Sequence, residues 1–271
     1  MTTRSEQQRR RAIRLDVFGG IIALFALGAG AWYLGSGQNA RERDRRTLCI
    51  EHAVPQALLI VLIDASDPLS IVQRTAVANR LQGAIQTSAA DTEIELFAIG
   101  EVTDRLLQPV ADVCNPGSGE GASEWTSNPD LMKNRWQSKF LQPLDAALTH
   151  MLQSGTAKDS PIMESIQSVA VSVFERPELE HVGKRRLIIV SDMLQNTAGY
   201  SQYRGDESFS RFRASPYYLK VRPQLDGVDV TILYLRRPEF SHLQGGRHVE
   251  FWQSFFTDAR ARLVEVAAIE G

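Results

Sequence analysis

Cysteine and histidine are scarce in this chain, and that bounds its chemistry. There are two cysteines, Cys49 and Cys114, and five histidines with no recurring ligand spacing. A zinc framework has no basis here. Charge of either sign is not in excess: the formal net charge is −2, which leaves no electrostatic footprint for nucleic acid. A phosphate-cradling loop is missing too. Gly117–Gly121 lacks the lysine and the spacing of one. No Ser–His–Asp or Cys–His grouping, internal repeat or long low-complexity tract occurs. A small-molecule substrate has little to recommend it. What is present is the apolar and charged content of one large domain with appendages.

The amino-terminal segment differs from the rest. Between Asp16 and Arg41 there is no charged residue, and Val17–Leu34 is almost wholly apolar or small. That length suits a membrane-spanning helix, with Trp32 and Tyr33 at one interface. Arg4, Arg9, Arg10, Arg11 and Arg14 precede it, and Arg41, Arg43, Arg45 and Arg46 follow, diluted by Glu42 and Asp44. The bias favours a cytoplasmic amino terminus only slightly. Ala29-Gly30-Ala31 offers the alternative of a cleaved secretory signal. The reading is a basic tail (1–16), a transmembrane helix or uncleaved signal anchor (17–37), a linker (38–48) and a folded domain (49–271). It describes a single-pass protein of the inner or cytoplasmic membrane, its domain periplasmic or otherwise extracytoplasmic.

Within the domain, the stretch Leu58–Ser70 (LLIVLIDASDPLS) organises the rest. An unbroken apolar run ending at Asp64 reads as a strand buried on both faces. Further strands are predicted at Glu93–Ile99, Leu106–Val113, Arg186–Ser191, Val228–Leu235 and Leu263–Ile269. Helices are predicted from Ser70 to Ala89, from Leu131 to Leu152 with a break at Pro143, from Ser160 to Phe174, from Ser215 to Leu225 and from His248 to Arg260. The alternation means an α/β fold: a doubly wound, mostly parallel six-stranded sheet with one antiparallel edge strand.

Ligands of such sheets bind where strands release their C-terminal ends. Three segments can meet there: Asp64, Ser66, Asp67 and Ser70 after the first strand, Ser160 with Asp159 before a helix, and Asp192 after a later strand. Carboxylates and hydroxyls without His or Cys suit Mg2+, with Mn2+ or Ca2+ as alternatives. Helix capping is the other use for Ser70 and Ser160, and an Asp-Pro turn for Asp64. His242 and His248 read as surface residues.

These residues resemble the von Willebrand factor A fold across about Leu58–Ile269. Its metal-ion-dependent adhesion site uses Asp-x-Ser-x-Ser after the first strand, a Thr or Ser from a second loop and an Asp after a later strand. Asp64 and Ser66 match the first two places, Ser160 the second-loop hydroxyl and Asp192 the third-loop aspartate. The third motif place is Pro68, which has no side-chain ligand; Ser70 lies two residues late, and Asp67 is a substitute. The site is thus a degenerate one. The combination ID-x-S-DPLS, SPI-x-E-S-I and SDMLQN is similar to that of membrane-anchored bacterial proteins of this fold. In this topology Cys49 and Cys114 both fall near the pole opposite the site, where a disulfide is within reach; the alternative is two unrelated small apolar residues.

The resemblance implies a non-enzymatic module that binds or assembles with protein partners, with Mg2+ as a candidate cofactor. Tyr200, Tyr203, Arg211 and Arg213 form a candidate partner face, since Tyr and Arg favour interfaces; an insertion packed on the sheet is the alternative. Two other readings stay open. One is a Mg2+-dependent phosphoryl hydrolase using Asp64, Asp67 and Asp192. The other is a metal-free scaffold.

Overall fold

The computed structural model describes residues 42–64, 66–100, 106–120, 128–153, 155, 159–205 and 208–271, together with residues 25 and 27–30. The expected tail and most of the expected membrane segment 17–37 lie outside the described residues. Among the described residues no helix is long and apolar enough to cross a membrane. Met1–Glu42 and Arg43–Gly271 are separate compact units, and the second contains the sheet.

Its strands are β1 (Ala57–Asp64), β2 (Thr92–Ile99), β3 (Ala111–Cys114), β4 (Lys184–Ser191), β5 (Asp229–Leu235) and β6 (Arg262–Ile269). They form one six-stranded sheet in the order β3-β2-β1-β4-β5-β6. Only β3 runs antiparallel to its neighbour. Flanking it are α1 (Ile71–Gln86), α2 (Pro129–Trp136), α3 (Gln142–Gln153), α4 (Ile162–Val169), α5 (Phe209–Arg213), α6 (Pro216–Val221) and α7 (Gly246–Asp258).

The period-two alternation of each strand divides its side chains between two cores. Leu58, Ile60 and Leu62 of β1 pack with Leu187 and Ile189 of β4 and with α4 and α7. Leu59, Val61 and Ile63 pack on the other face with α1 and α3. Both faces of β1 are therefore covered, which is why its sequence is continuously apolar rather than alternating.

Several expected boundaries shift for local reasons. The strand expected from Leu106 begins at Ala111. Pro109 has no N–H for a ladder, and the Leu107 N–H donates to Ser168 Oγ instead, at 2.7 Å. The helix expected over Leu131–Leu152 is two helices joined by a π turn, Gln137–Leu141. The widened turn sits just ahead of Pro143, which cannot donate to the carbonyl four residues back. The helix expected to reach Leu225 ends at Val221.

The two cysteines form a disulfide, Cys49–Cys114. It ties the segment before β1 to the end of β3, at the pole where β1 begins. Closing a loop with a sequence separation of 65 residues disfavours the unfolded chain by about 4 kcal/mol in the chain-entropy description.

One acidic cluster lies within the sheet. Glu93 and Glu95 of β2 share a face, Asp112 stands opposite Glu95 in the register, and Arg176 pairs with both glutamates. Burial pushes the Glu95 carboxyl up to about 7, against the relief from Arg176 and with further elevation from Glu93 and Asp112. The folded state therefore holds a proton that the unfolded chain releases near 4.5. Stability from this group is complete at low pH and declines as pH rises through about 7. Glu95→Gln is expected to gain melting temperature relative to wild type at pH 8 more than at pH 5, by thermal unfolding at both.

Candidate functional site

Asp64 extends the Leu58, Ile60, Leu62 side of β1, so its carboxylate faces α4. Ser191 extends the Leu187, Ile189 side of β4. The strands pair at Ile63↔Val190, which puts Asp64 and Ser191 on the next rung. The result is a buried carboxylate held by three segments. Its Oδ1 accepts the Ser66 N–H at 3.0 Å. Its Oδ2 accepts the Ser191 hydroxyl at 2.8 Å and the Ser160 hydroxyl at 3.0 Å. Asp64 is 3% exposed, and burial at that level is tolerable for a carboxylate only with such donors.

Ser160 does not cap its helix. Pro161 holds the N-cap position without a side-chain bond, and the Ser160 hydroxyl turns to Asp64 instead. The Ser160 backbone also exchanges two hydrogen bonds with Asn196, at 2.9 and 3.0 Å. The loop before α4 is thereby stitched to the loop after β4.

The loop after β4 is held along its length. Ser191 Oγ accepts the Met193 N–H and Asp192 Oδ1 accepts the Leu194 N–H, both at 2.8 Å. Met193 has φ of 60°, a left-handed conformation costly for a side chain of this kind. Its carbonyl is fixed by Trp252 Nε1 at 2.9 Å and His248 Nε2 at 3.1 Å. His248 is therefore not the surface residue the sequence suggested. It is 1% exposed, and burial pushes its pKa down to about 4. With Nε2 donating to Met193, Nδ1 is left to accept the Tyr234 hydroxyl at 2.6 Å. Next to it, Gln195 Nε2 donates to Glu164 at 2.9 Å, and the Tyr217 hydroxyl bonds the same carboxylate.

Asp192 is buried, and desolvation first, then the neighbouring Asp64, push its carboxyl up to about 7. Its Oδ2 lies 3.5 Å from Arg237 Nε. Arg237 follows β5 and was not singled out from the sequence. The available signal was a cation two residues past a buried strand, at the same pole as Asp64 and Asp192. It donates to the Pro68 carbonyl at 3.0 Å and to the Asp67 carbonyl at 3.5 Å. Gln244 fixes this corner: Oε1 accepts the Arg237 N–H at 2.7 Å, and Nε2 donates to Asp192 O at 3.1 Å and Leu235 O at 2.8 Å.

Of the expected site residues, Asp64, Ser66, Ser160 and Asp192 come together, Ser66 through its backbone N–H. Asp67 adjoins them and is held through its carbonyl. Ser70 does not join them: it caps α1 in a reciprocal capping box with Gln73. Tyr203 sits at the rim, its ring edge-on to Phe240 at 5.0 Å. Burial and the charges of Asp192, Asp67 and Asp64 push its phenol up. Tyr200 faces inward, against Phe212, Tyr217 and Phe251. Arg213 pairs with Asp258 at 2.8 Å, and Arg211 lines a cleft of about 570 Å3 with Phe209 and Phe251.

The donors present do not fit a divalent cation. Both oxygens of Asp64 already accept protein hydrogen bonds, Asp192 faces a guanidinium, and Ser70 is engaged in capping. Pro68 offers only a carbonyl that Arg237 already uses. Among the described residues no group of three or more His, Cys, Asp and Glu is arranged to hold a metal ion.

Ser191→Ala removes a donor to Asp64 and the acceptor of Met193 N–H, both buried. Its expected cost is about 1–3 kcal/mol in urea unfolding. Asp64→Asn, Ser191→Ala should cost less than the sum of the single changes, because they share one bond.

No family model and no curated protein matches the chain. Among solved structures, the manganese-loaded TRAP protein of Plasmodium vivax is similar at 16% identity, with 65% of this chain and 57% of that one covered and a TM-score of 0.32. A von Willebrand factor type A structure from Catenulispora acidiphila is similar at 11% identity, over 76% of this chain and 43% of that one, also with a TM-score of 0.32. The chain spans about half the length of each of these structures.

Proposed function

We propose that this chain is a von Willebrand factor A-like module that binds a protein partner at the pole where β1, β4 and β5 end, without catalysing a reaction. The observation that carries the reading is the use made of Asp64. Among the described residues each hydrogen bond to its carboxylate fastens a loop: Ser66 N–H, Ser160 hydroxyl and Ser191 hydroxyl. A carboxylate so committed shapes a surface; a general base must reach a substrate proton. The antiparallel edge strand and the element order support the family reading.

The anchor belongs to this reading. Segment 17–37 holds the module on the inner or cytoplasmic membrane with the domain on the extracytoplasmic side. The Cys49–Cys114 bond supports that side, since such bonds persist in oxidising compartments. Tyr203 and the Phe240 ring beneath it supply the aromatic element of the recognition surface. The Mg2+-dependent form of the reading, with Mn2+ or Ca2+ as substitutes, has less support, because Arg237 stands among the donors.

The test is a photo-crosslinking amino acid placed at Tyr203, compared with the same group at Leu219, which is 66% exposed on α6. The full chain is crosslinked in the membranes of its host. A discrete adduct is expected from position 203 and not from 219, weakened by Asp64→Ala. Equal labelling from both positions, unaffected by Asp64→Ala, would contradict the reading.

A further inference from the structure

We propose that the guanidinium of Arg237 is the resident cation of this pole: it stands where a divalent ion would bridge the loops, and the site is complete without metal. This goes beyond the binding reading, which stands or falls separately.

The geometry rests on one side chain reaching two loops. Arg237 is 10% exposed in its side chain, and a charge so placed requires anionic or carbonyl partners. It finds them on both sides. Two of its nitrogens reach the Pro68 and Asp67 carbonyls of the loop after β1, at 3.0 and 3.5 Å. Its Nε faces Asp192 Oδ2 of the loop after β4, at 3.5 Å. That Nε–H has no hydrogen-bond acceptor among the described residues, so its interaction with Asp192 is one of charge. A planar fork with several donors suits this bridging task better than an ammonium.

The guanidinium is delivered from a fixed backbone. The Arg237 N–H is held by Gln244, which also holds the Asp192 carbonyl. The preceding carbonyl, of Arg236, accepts from Gln73 Nε2 of α1 at 2.9 Å. Both bonds fall on the peptide that precedes Arg237, and the Arg237 carbonyl in turn accepts the Phe240 N–H at 3.0 Å, so the backbone is held on both sides of the residue. The substitution at the motif is consistent with this arrangement. Pro68 supplies no side-chain oxygen, yet its carbonyl is the acceptor that Arg237 uses. Both oxygens of Asp64 already accept hydrogen bonds from protein donors. A divalent cation entering here would meet a buried positive charge at close range, with Asp192 already facing that charge and Asp64 already hydrogen-bonded.

The measurement is Mn2+ binding to the full chain, followed by the loss of the free-ion electron paramagnetic resonance signal, with Mn2+ as the only added ligand. Wild type and Arg237→Lys are expected to show no saturable binding at millimolar Mn2+. Arg237→Met frees the Pro68 and Asp67 carbonyls and leaves Asp192 without its counter-charge. It is expected to gain a saturable site, tighter than any wild-type uptake by at least about tenfold, and to lose it on adding Asp192→Asn. Arg237→Gln, neutral but still hydrogen-bonding, should gain the same site and serves if the methionine variant does not fold.

Saturable Mn2+ binding by wild type that Asp192→Asn abolishes would overturn the proposal. So would folded Arg237→Met and Arg237→Gln proteins that bind no more Mn2+ than wild type does. Neither result bears on the crosslink at position 203, so failure of this inference and failure of the binding reading remain distinguishable.

Discussion

A single buried carboxylate, that of Asp64, is the constraint on which the upper pole depends. It sits at the end of the central strand, where both sheet faces are already packed with aliphatic side chains, so no water shell is available to it. Its two oxygens must be satisfied by protein donors, and the donors come from three separate stretches of chain: Ser66, Ser160 and Ser191. Each donor fixes a loop in place. The cost of burying the charge and the order of the loops are thus the same physical fact.

The remaining interactions extend that order outward. Ser160 and Asn196 exchange backbone hydrogen bonds, and the strained Met193 is held by Trp252 and His248 of α7. Gln244 and Arg237 close the side nearest β5. The opposite pole is secured covalently by Cys49–Cys114. A sheet clamped at one end by a disulfide and at the other by buried polar bonds leaves the loops at its strand ends little conformational freedom.

Much of this was legible in the sequence because it follows from strand pattern. The apolar run ending at Asp64 and the run ending at Ser191-Asp192 mark two buried strands and the pole where they finish. The antiparallel edge follows from the same topology, which also put the two cysteines within reach of each other while leaving their pairing open. What was not legible depends on contacts between distant segments. Ser160 has the spacing of a helix cap as well as a place in the site pattern, and only the end of β1 decides between the two by offering its hydroxyl the Asp64 carboxylate. His248 looks like a loop residue, yet α7 starts earlier and turns it into the core against Tyr234 and Met193. Arg237 looks like one of many surface arginines, because its place two residues past β5 does not by itself show that two loops converge on it. The Leu106 segment has strand composition, but Pro109 and the Ser168 hydroxyl withdraw it from the ladder.

Asp64 holds three loops as one unit. Native-state amide hydrogen exchange of Asp64→Ala against wild type tests it most directly. The expected result is a joint loss of protection at Ser66, at Met193 and Leu194, and at Ser160 and Asn196, with the β1 and β2 interior amides unchanged. Loss confined to Ser66, with the loops after β4 and before α4 as protected as in wild type, would contradict it.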